Sequence, residues 1–239
     1  MSTLLLVRHA QASFFSDDYD QLSELGETQA AHLGRYLVRR GSAFDAVYTG
    51  EAKRHRRTAE IVCGELAKAD LVSSEPIVLG ELNEHQADQI LRHSAEELSR
   101  RDDEISALVA AYRAAREPIE INRRFQLLFE AVVKLWTRGE IELEGVESWE
   151  HFTRRVERGI AAITNGRQSG RRVLAFSSVG PISIFLRSAL AASDLHALEL
   201  GWRLRNCSLS EFVFTNSRFT LDSFNALPHL DRSDLITFR

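Results

Sequence analysis

The sequence predicts an α/β fold, a mostly parallel central sheet with helices on both faces, and three observations predict it. The chain opens on four consecutive aliphatics, Leu4-Leu5-Leu6-Val7. That run is too short for a helix of ordinary length and reads as a strand buried on both sides. Strand and helix patterns then alternate in a β-α-β-α-β rhythm through about residue 79, which calls for parallel strands joined by crossover helices. Another buried strand pattern, Arg172-Val173-Leu174-Ala175-Phe176-Ser177, returns after a long helical stretch. The architecture expected is a three-layer α/β/α sandwich in a single domain, 1–239, with a helical insertion at about 87–145.

Taken in order, the opening strand gives way to a loop at 11–21, rich in Ser and Asp and carrying Phe14 and Phe15. Ser23 is placed to cap a helix, and Glu24 suits the positive end of its dipole. Ala30, Leu33 and Leu37 recur at helical spacing, and Arg39, Arg40 and Gly41 mark its end. Residues 44–49 read as the next strand and 51–66 as the next helix, with Ala59, Val62, Cys63 and Leu66 on one face; 76–79 is a short third strand. The rhythm then breaks. A charged helical stretch covers 87–116, and after Pro118 a second runs from 123 to 138 with Phe125, Leu128, Phe129, Val132, Val133 and Trp136 as its apolar face. No Pro/Gly/Ser-rich linker brackets the region, so it reads as an insertion over the sheet's edge. Residues 149–163 form an amphipathic helix, and Pro181 suits the first position of a helix over 182–192. Segments 206–214 and 219–224 alternate around Thr215-Asn216-Ser217 as a β-hairpin.

Composition narrows the function. Hydrophobic residues make up 44% and charged residues 27%, with a net charge of −4, so no overall field draws the molecule to nucleic acid or to a membrane. Two cysteines, Cys63 and Cys207, are too few for a disulfide framework and suggest reduced thiols in a cytoplasmic protein. The opening residues lack the basic start and apolar length of a signal peptide or membrane span.

Four segments carry polar groups to the carboxyl edge of the sheet, where ligands sit in open α/β folds. They are Arg8-His9, the basic run Lys53-Arg54-His55-Arg56-Arg57, Leu82-Asn83-Glu84, and Ser177-Ser178-Val179-Gly180. Arginines converging on a histidine suit a tetrahedral oxyanion, phosphate foremost, and a helix start adds backbone N–H donors. Arg8-His9 alone reads first as the polar end of a strand. Residues 53–57 read equally as a solvated helix face, since helical rotation lets one or two of them at most enter a pocket. A nucleic-acid patch there lacks interleaved aromatics. None of the eight histidines has metal-ligand spacing, so no metal is expected.

Side by side, these residues resemble the histidine phosphatase superfamily, in its phosphoglycerate mutase-like branch. Arg8-His9-Ala10-Gln11 is similar to the family's R-H-G-[EQ], and Leu22–Ala30 to its L-[ST]-x-x-G-x-x-Q-A. Tyr48 through Ala59 follows Y-S-S-P-L-x-R-A-x-Q-T-A, Leu82-Asn83-Glu84 follows L-x-E, and Gly145–Ser148 is similar to a later G-E-S. The resemblance implies a phosphoglycerate mutase-like fold and a phosphomonoester phosphatase needing neither cofactor nor metal, acting on a small phosphorylated substrate. His9 would attack phosphorus, Arg8 and Arg54 would hold its oxygens, and Glu84 would protonate the leaving group and later accept a proton from water. Ser178 and the Val179 backbone would complete the phosphate cradle. Departures stand beside these matches. Ser177-Ser178-Val179 replaces S-H-G, which puts Ser178 where the second catalytic histidine belongs. Gly50-Glu51 replaces S-P, and Phe15 falls near a pocket asparagine. His55 is not offered as a substitute, because adjacency to Arg54 turns it aside by about 100°. The sequence therefore leaves two readings open, a slow phosphatase and a pseudophosphatase that binds a phosphorylated ligand or partner; a mutase is less favoured.

Overall fold

The computed structural model describes residues 1–13, 20–72, 74–165 and 169–238, without the side chains at 87, 88 and 92. In chain order it holds β1 (Ser2–Arg8), α1 (Glu24–Arg39), β2 (Ala46–Thr49), α2 (Lys53–Ala67), β3 (Ile77–Val78), α3 (Ala87–Leu98), α4 (Asp103–Ala114) and α5 (Pro118–Thr137). There follow α6 (Trp149–Thr164), β4 (Arg172–Ser177), α7 (Val179–Leu190), α8 (Asp194–Gly201), β5 (Leu209–Thr215) and β6 (Arg218–Ala226). The chain forms two compact units, Met1–Glu84 with Arg155–Arg239, and His85–Arg154.

The first unit is built on a six-stranded sheet in the order β3-β2-β4-β1-β5-β6. β1 through β4 run parallel, while β5 lies antiparallel to β1 and closes a hairpin with β6. Helices cover both faces, so the predicted α/β class holds. The aliphatic run of β1 is explained by its central place: Leu4 and Leu6 have no exposure, and Val7 on the opposite face joins the apolar layer under α1 and α2. In that layer Ala30, Leu33 and Leu37 meet Ala59, Val62 and Leu66. Ser23 caps α1 as expected, its hydroxyl accepting the Gly26 N–H at 3.0 Å. Both cysteines are free and buried.

The structure corrects several boundaries. α7 begins at Val179 rather than 182, which makes Pro181 its third residue; N–H groups in a first turn have no intrahelical partner, so nothing is lost there. α8 was not anticipated: it is short, and Ser193 caps it through the His196 N–H. In the second unit the stretch 87–116 is two helices rather than one. Asp102 interrupts it and caps α4, accepting the Ile105 N–H at 3.0 Å. α5 starts on Pro118 itself. Phe125, Phe129, Trp136, Trp149 and Phe152 pack ring against ring as that unit's aromatic core. Among the described residues, no helix is long and apolar enough to cross a membrane.

Candidate active site

The carboxyl ends of β1, β2 and β4, and the turn after β3, supply the side chains named from sequence. At the end of β1 the backbone is pinned from both neighbours: His9 donates its N–H to the Ser177 carbonyl at 2.9 Å and accepts from the Cys207 N–H at 3.1 Å. Its imidazole is nearly buried, and Nδ1 lies 2.8 Å from the Ala10 carbonyl. A carbonyl can only accept, so Nδ1 carries the proton and Nε2 keeps its lone pair. Burial holds the ring's pKa well below 6.5, reinforced by the charges of Arg54 and Arg8 and by His55. The imidazole is therefore neutral, with its proton on Nδ1.

The residues after His9 are held by buried polar groups. Ala10 donates its N–H to Thr58 Oγ1 at 3.1 Å, and that hydroxyl donates to the Arg54 carbonyl at 2.7 Å. Gln11 donates to Oε1 of the buried Gln29 at 2.9 Å, while Gln29 Nε2 donates to the Leu235 carbonyl and to Thr237. A Cβ on Gly26 would stand 2.1 Å from the Gln11 carbonyl oxygen. The segment matching L-[ST]-x-x-G-x-x-Q-A is thus a support for the β1 loop. Arg8 is buried too, its Nη1 donating to the carbonyls of Leu204 at 2.5 Å and Phe238 at 2.8 Å.

Arg54 stands in the first turn of α2. Its Nη1 pairs with Asp20 Oδ1 at 2.6 Å, and its Nη2 lies 3.5 Å from Ser178 Oγ. Asp20 also accepts the Lys53 N–H at 2.8 Å, serving as the cap that Ala52 cannot provide. The rest of the basic run points elsewhere: Lys53 and Arg56 are exposed, and Arg57 pairs with Glu27 and Glu60.

His55 lies against Ser178. Its rotation away from Arg54 carries it under the sheet edge, where it is fully buried. There its Nε2 lies 2.5 Å from Ser178 Oγ and its ring centroid 5.5 Å from that of His9. Burial, and then Arg54, hold its pKa well below 6.5. Gly50 makes the room: a Cβ there would stand 2.3 Å from His55 Nδ1. The quoted pattern has alanine at the place of His55 and serine at the place of Gly50. These departures, read together with Ser178, were the signal available in the sequence.

Glu84 follows a single 3₁₀ turn, Gly80–Leu82. Ser177 Oγ donates to the Leu82 carbonyl at 2.7 Å, and Arg155 Nη1 donates to the carbonyls of Gly80 at 3.0 Å and Asn83 at 3.0 Å. Arg155 had no signal in the sequence. Both Glu84 carboxyl oxygens share the Gly180 N–H, at 3.1 and 3.2 Å, so the carboxyl group sits at the start of α7, which Val179 opens. Phe15 lies outside the described residues. Among the described residues, no group of three or more His, Cys, Asp or Glu is arranged to hold a metal ion.

A mostly parallel sheet in this order, with helices on both faces, defines a phosphoglycerate mutase-like α/β protein. The chain belongs to the histidine phosphatase superfamily (branch 1), whose family model matches residues 4–134 and 115–227. It is 36% identical over 75 residues to a 2,3-bisphosphoglycerate-dependent phosphoglycerate mutase of Bartonella bacilliformis, a match over 29% of this chain and 36% of that protein. The chain spans less than half the length of the curated relatives it matches. In fold it resembles the alpha-ribazole phosphatase from Shigella flexneri, with a TM-score of 0.61 and 21% identity over 94% of this chain and 96% of the other. It also resembles a phosphoserine phosphatase from Entamoeba histolytica in complex with 3-phosphoglyceric acid, with a TM-score of 0.62 and 17% identity over 96% and 99%.

Proposed function

We propose that the protein is a phosphomonoester phosphatase acting on a small phosphorylated substrate through a phosphohistidine on His9. The observation that carries this reading is the Nδ1 contact to the Ala10 carbonyl, which leaves a neutral Nε2 lone pair beside cationic guanidinium groups. Nε2 attacks phosphorus and the phosphorus–oxygen bond to the leaving group breaks. The leaving alkoxide takes its proton from Glu84. Water then attacks the phosphohistidine, gives its proton to Glu84, and releases phosphate and His9. Arg8 and Arg54 offset charge on the phosphoryl oxygens and supply what a metal supplies elsewhere. The names of the structural neighbours, alpha-ribazole phosphatase and phosphoserine phosphatase, support a small phosphomonoester. Retransfer, as in a mutase, is less favoured because Ser178 brings no charge to retain a phosphoryl group.

Ser178 also supports the second reading, a pseudophosphatase that binds a phosphorylated ligand or partner. Taken alone, loss of one oxyanion donor lowers turnover on the order of 10²–10³. Purified protein is expected to release p-nitrophenol from p-nitrophenyl phosphate in the presence of EDTA. His9→Ala should reduce that rate by at least about three orders of magnitude. Equal rates for the two proteins would end the hydrolase reading, and orthovanadate binding without turnover would select the binder.

A further inference from the structure

Ser178 occupies the cap position of α7 in extended backbone, φ −117° and ψ 177°, where a serine hydroxyl ordinarily accepts an N–H from the first turn. It makes no such bond. Its Oγ is turned instead to His55 Nε2 at 2.5 Å, with Arg54 Nη2 at 3.5 Å. The Gly180 N–H that a cap would take is held by Glu84 and Pro181 has none, so the hydroxyl is left to what it meets at the sheet edge.

The proton positions follow from burial. His55 Nδ1 is buried with no hydrogen-bond partner, facing the side-chain-free Gly50. A buried N–H without an acceptor is the rarer and costlier state, and a bare lone pair the more tolerable one. The proton of the neutral ring therefore sits on Nε2 and is donated to Ser178 Oγ. Arg54 is also a donor toward that oxygen. With both lone pairs of the hydroxyl facing donors, its own hydrogen is left to give to a third group.

We propose that His55 is a positioning residue for phosphoryl transfer: together with Gly50, which admits its ring, it holds the Ser178 hydroxyl as a fixed donor to the phosphoryl oxygens. The histidine this family carries at the place of Ser178 is in this chain divided between two elements, an imidazole on α2 and a hydroxyl at the end of β4. The inference rests on the phosphatase reading above and adds a residue that reading does not use. Without His55 one of the two donors that fix the hydroxyl is gone, and its orientation is lost although Ser178 remains.

The experiment compares steady-state hydrolysis of p-nitrophenyl phosphate, and orthovanadate affinity by calorimetry, across variants shown to be folded by circular dichroism. H55F keeps a ring but no N–H and should lower kcat about tenfold to a hundredfold with little change in KM. H55Q, which retains an N–H near the place of Nε2, should stay within about threefold of the parent protein. S178A should lose at least as much as H55F, and H55F/S178A no more than S178A, because the two residues act as one unit. H55A/S178H, which returns an imidazole to the β4 end, should recover most of what H55A loses. A folded H55F with unchanged kcat overturns the proposal, as does an H55Q loss equal to that of H55F. If H55F does not fold, recovery in H55A/S178H decides, and its absence overturns. Activity lost in H9A but intact in H55F would sink this inference alone. A parent protein that neither turns over nor binds vanadate would sink both.

Discussion

The two sides of the site are held by different means. On the β1 side, His9, Ala10 and Gln11 are fixed through their backbones, by Ser177, Cys207, Thr58 and Gln29. On the other side, Gly50, Arg54, His55 and Ser178 are fitted to one another mainly through side chains. Set against the patterns quoted from sequence, the first side differs at Ala10 alone, and the second at Gly50, His55 and Ser178. The reason is physical. A backbone group tied to a buried polar partner has one acceptable geometry, and any change leaves a polar group stranded. Three side chains sharing one volume can exchange roles, provided the volume and the donors are conserved.

The sharpest way to break this comparison is to add one methyl group on each side. G26A drives a Cβ to within 2.1 Å of a backbone oxygen that is itself held in place, and should cost about 3 kcal/mol or more in urea unfolding. G50A meets a side chain at 2.3 Å, and a side chain can rotate away. It should cost only about 1–2 kcal/mol while lowering kcat as far as H55F does. Equal stability losses for the two would erase the distinction. A step smaller, Q29L strands the Gln11 N–H and the Leu235 carbonyl and should cost about 2 kcal/mol, with KM moving little.

The smallest effect is a shift in pH profile. In the proposed mechanism His9 must be neutral to attack, and its pKa is held well below 6.5, first by burial and then by Arg54. The acid limb of kcat/KM should therefore lie below the ordinary histidine range. R54Q removes one cause and leaves burial, so the limb should move up in pH even though overall activity falls. A limb that stays put would mean Arg54 does not act on the ring. Stability carries the same sign. A histidine whose pKa is lowered by folding binds fewer protons folded than unfolded, so stability is present above about 6.5 and declines as pH falls below that value.

The parts of this arrangement that were legible in the sequence are those carried by local pattern. Leu4–Val7, Ser23, Arg172–Ser177 and the hairpin each announce themselves within a few residues. Arg8, His9, Arg54 and Glu84 were legible because a family resemblance fixed their order. His55 was not, although helix geometry turns it about 100° from Arg54. What lay beyond reach was which neighbour that rotation faced, since the answer depends on Ser178, 123 residues away, and on a missing side chain at Gly50. The break at Asp102 is hidden for the opposite reason: helical propensity runs through it, and only the cap shows that one helix ends before it and another begins.

Arg8 ends β1, yet its guanidinium donates to the carbonyl of Phe238, 230 positions later, and Gln29 depends similarly on Leu235. Contacts of that span are closed late, because the loop entropy they require is large. A nascent chain can thus build its sheet and helices while this edge stays unassembled, and clipping within residues 235–238 would disarm a domain that otherwise keeps its shape.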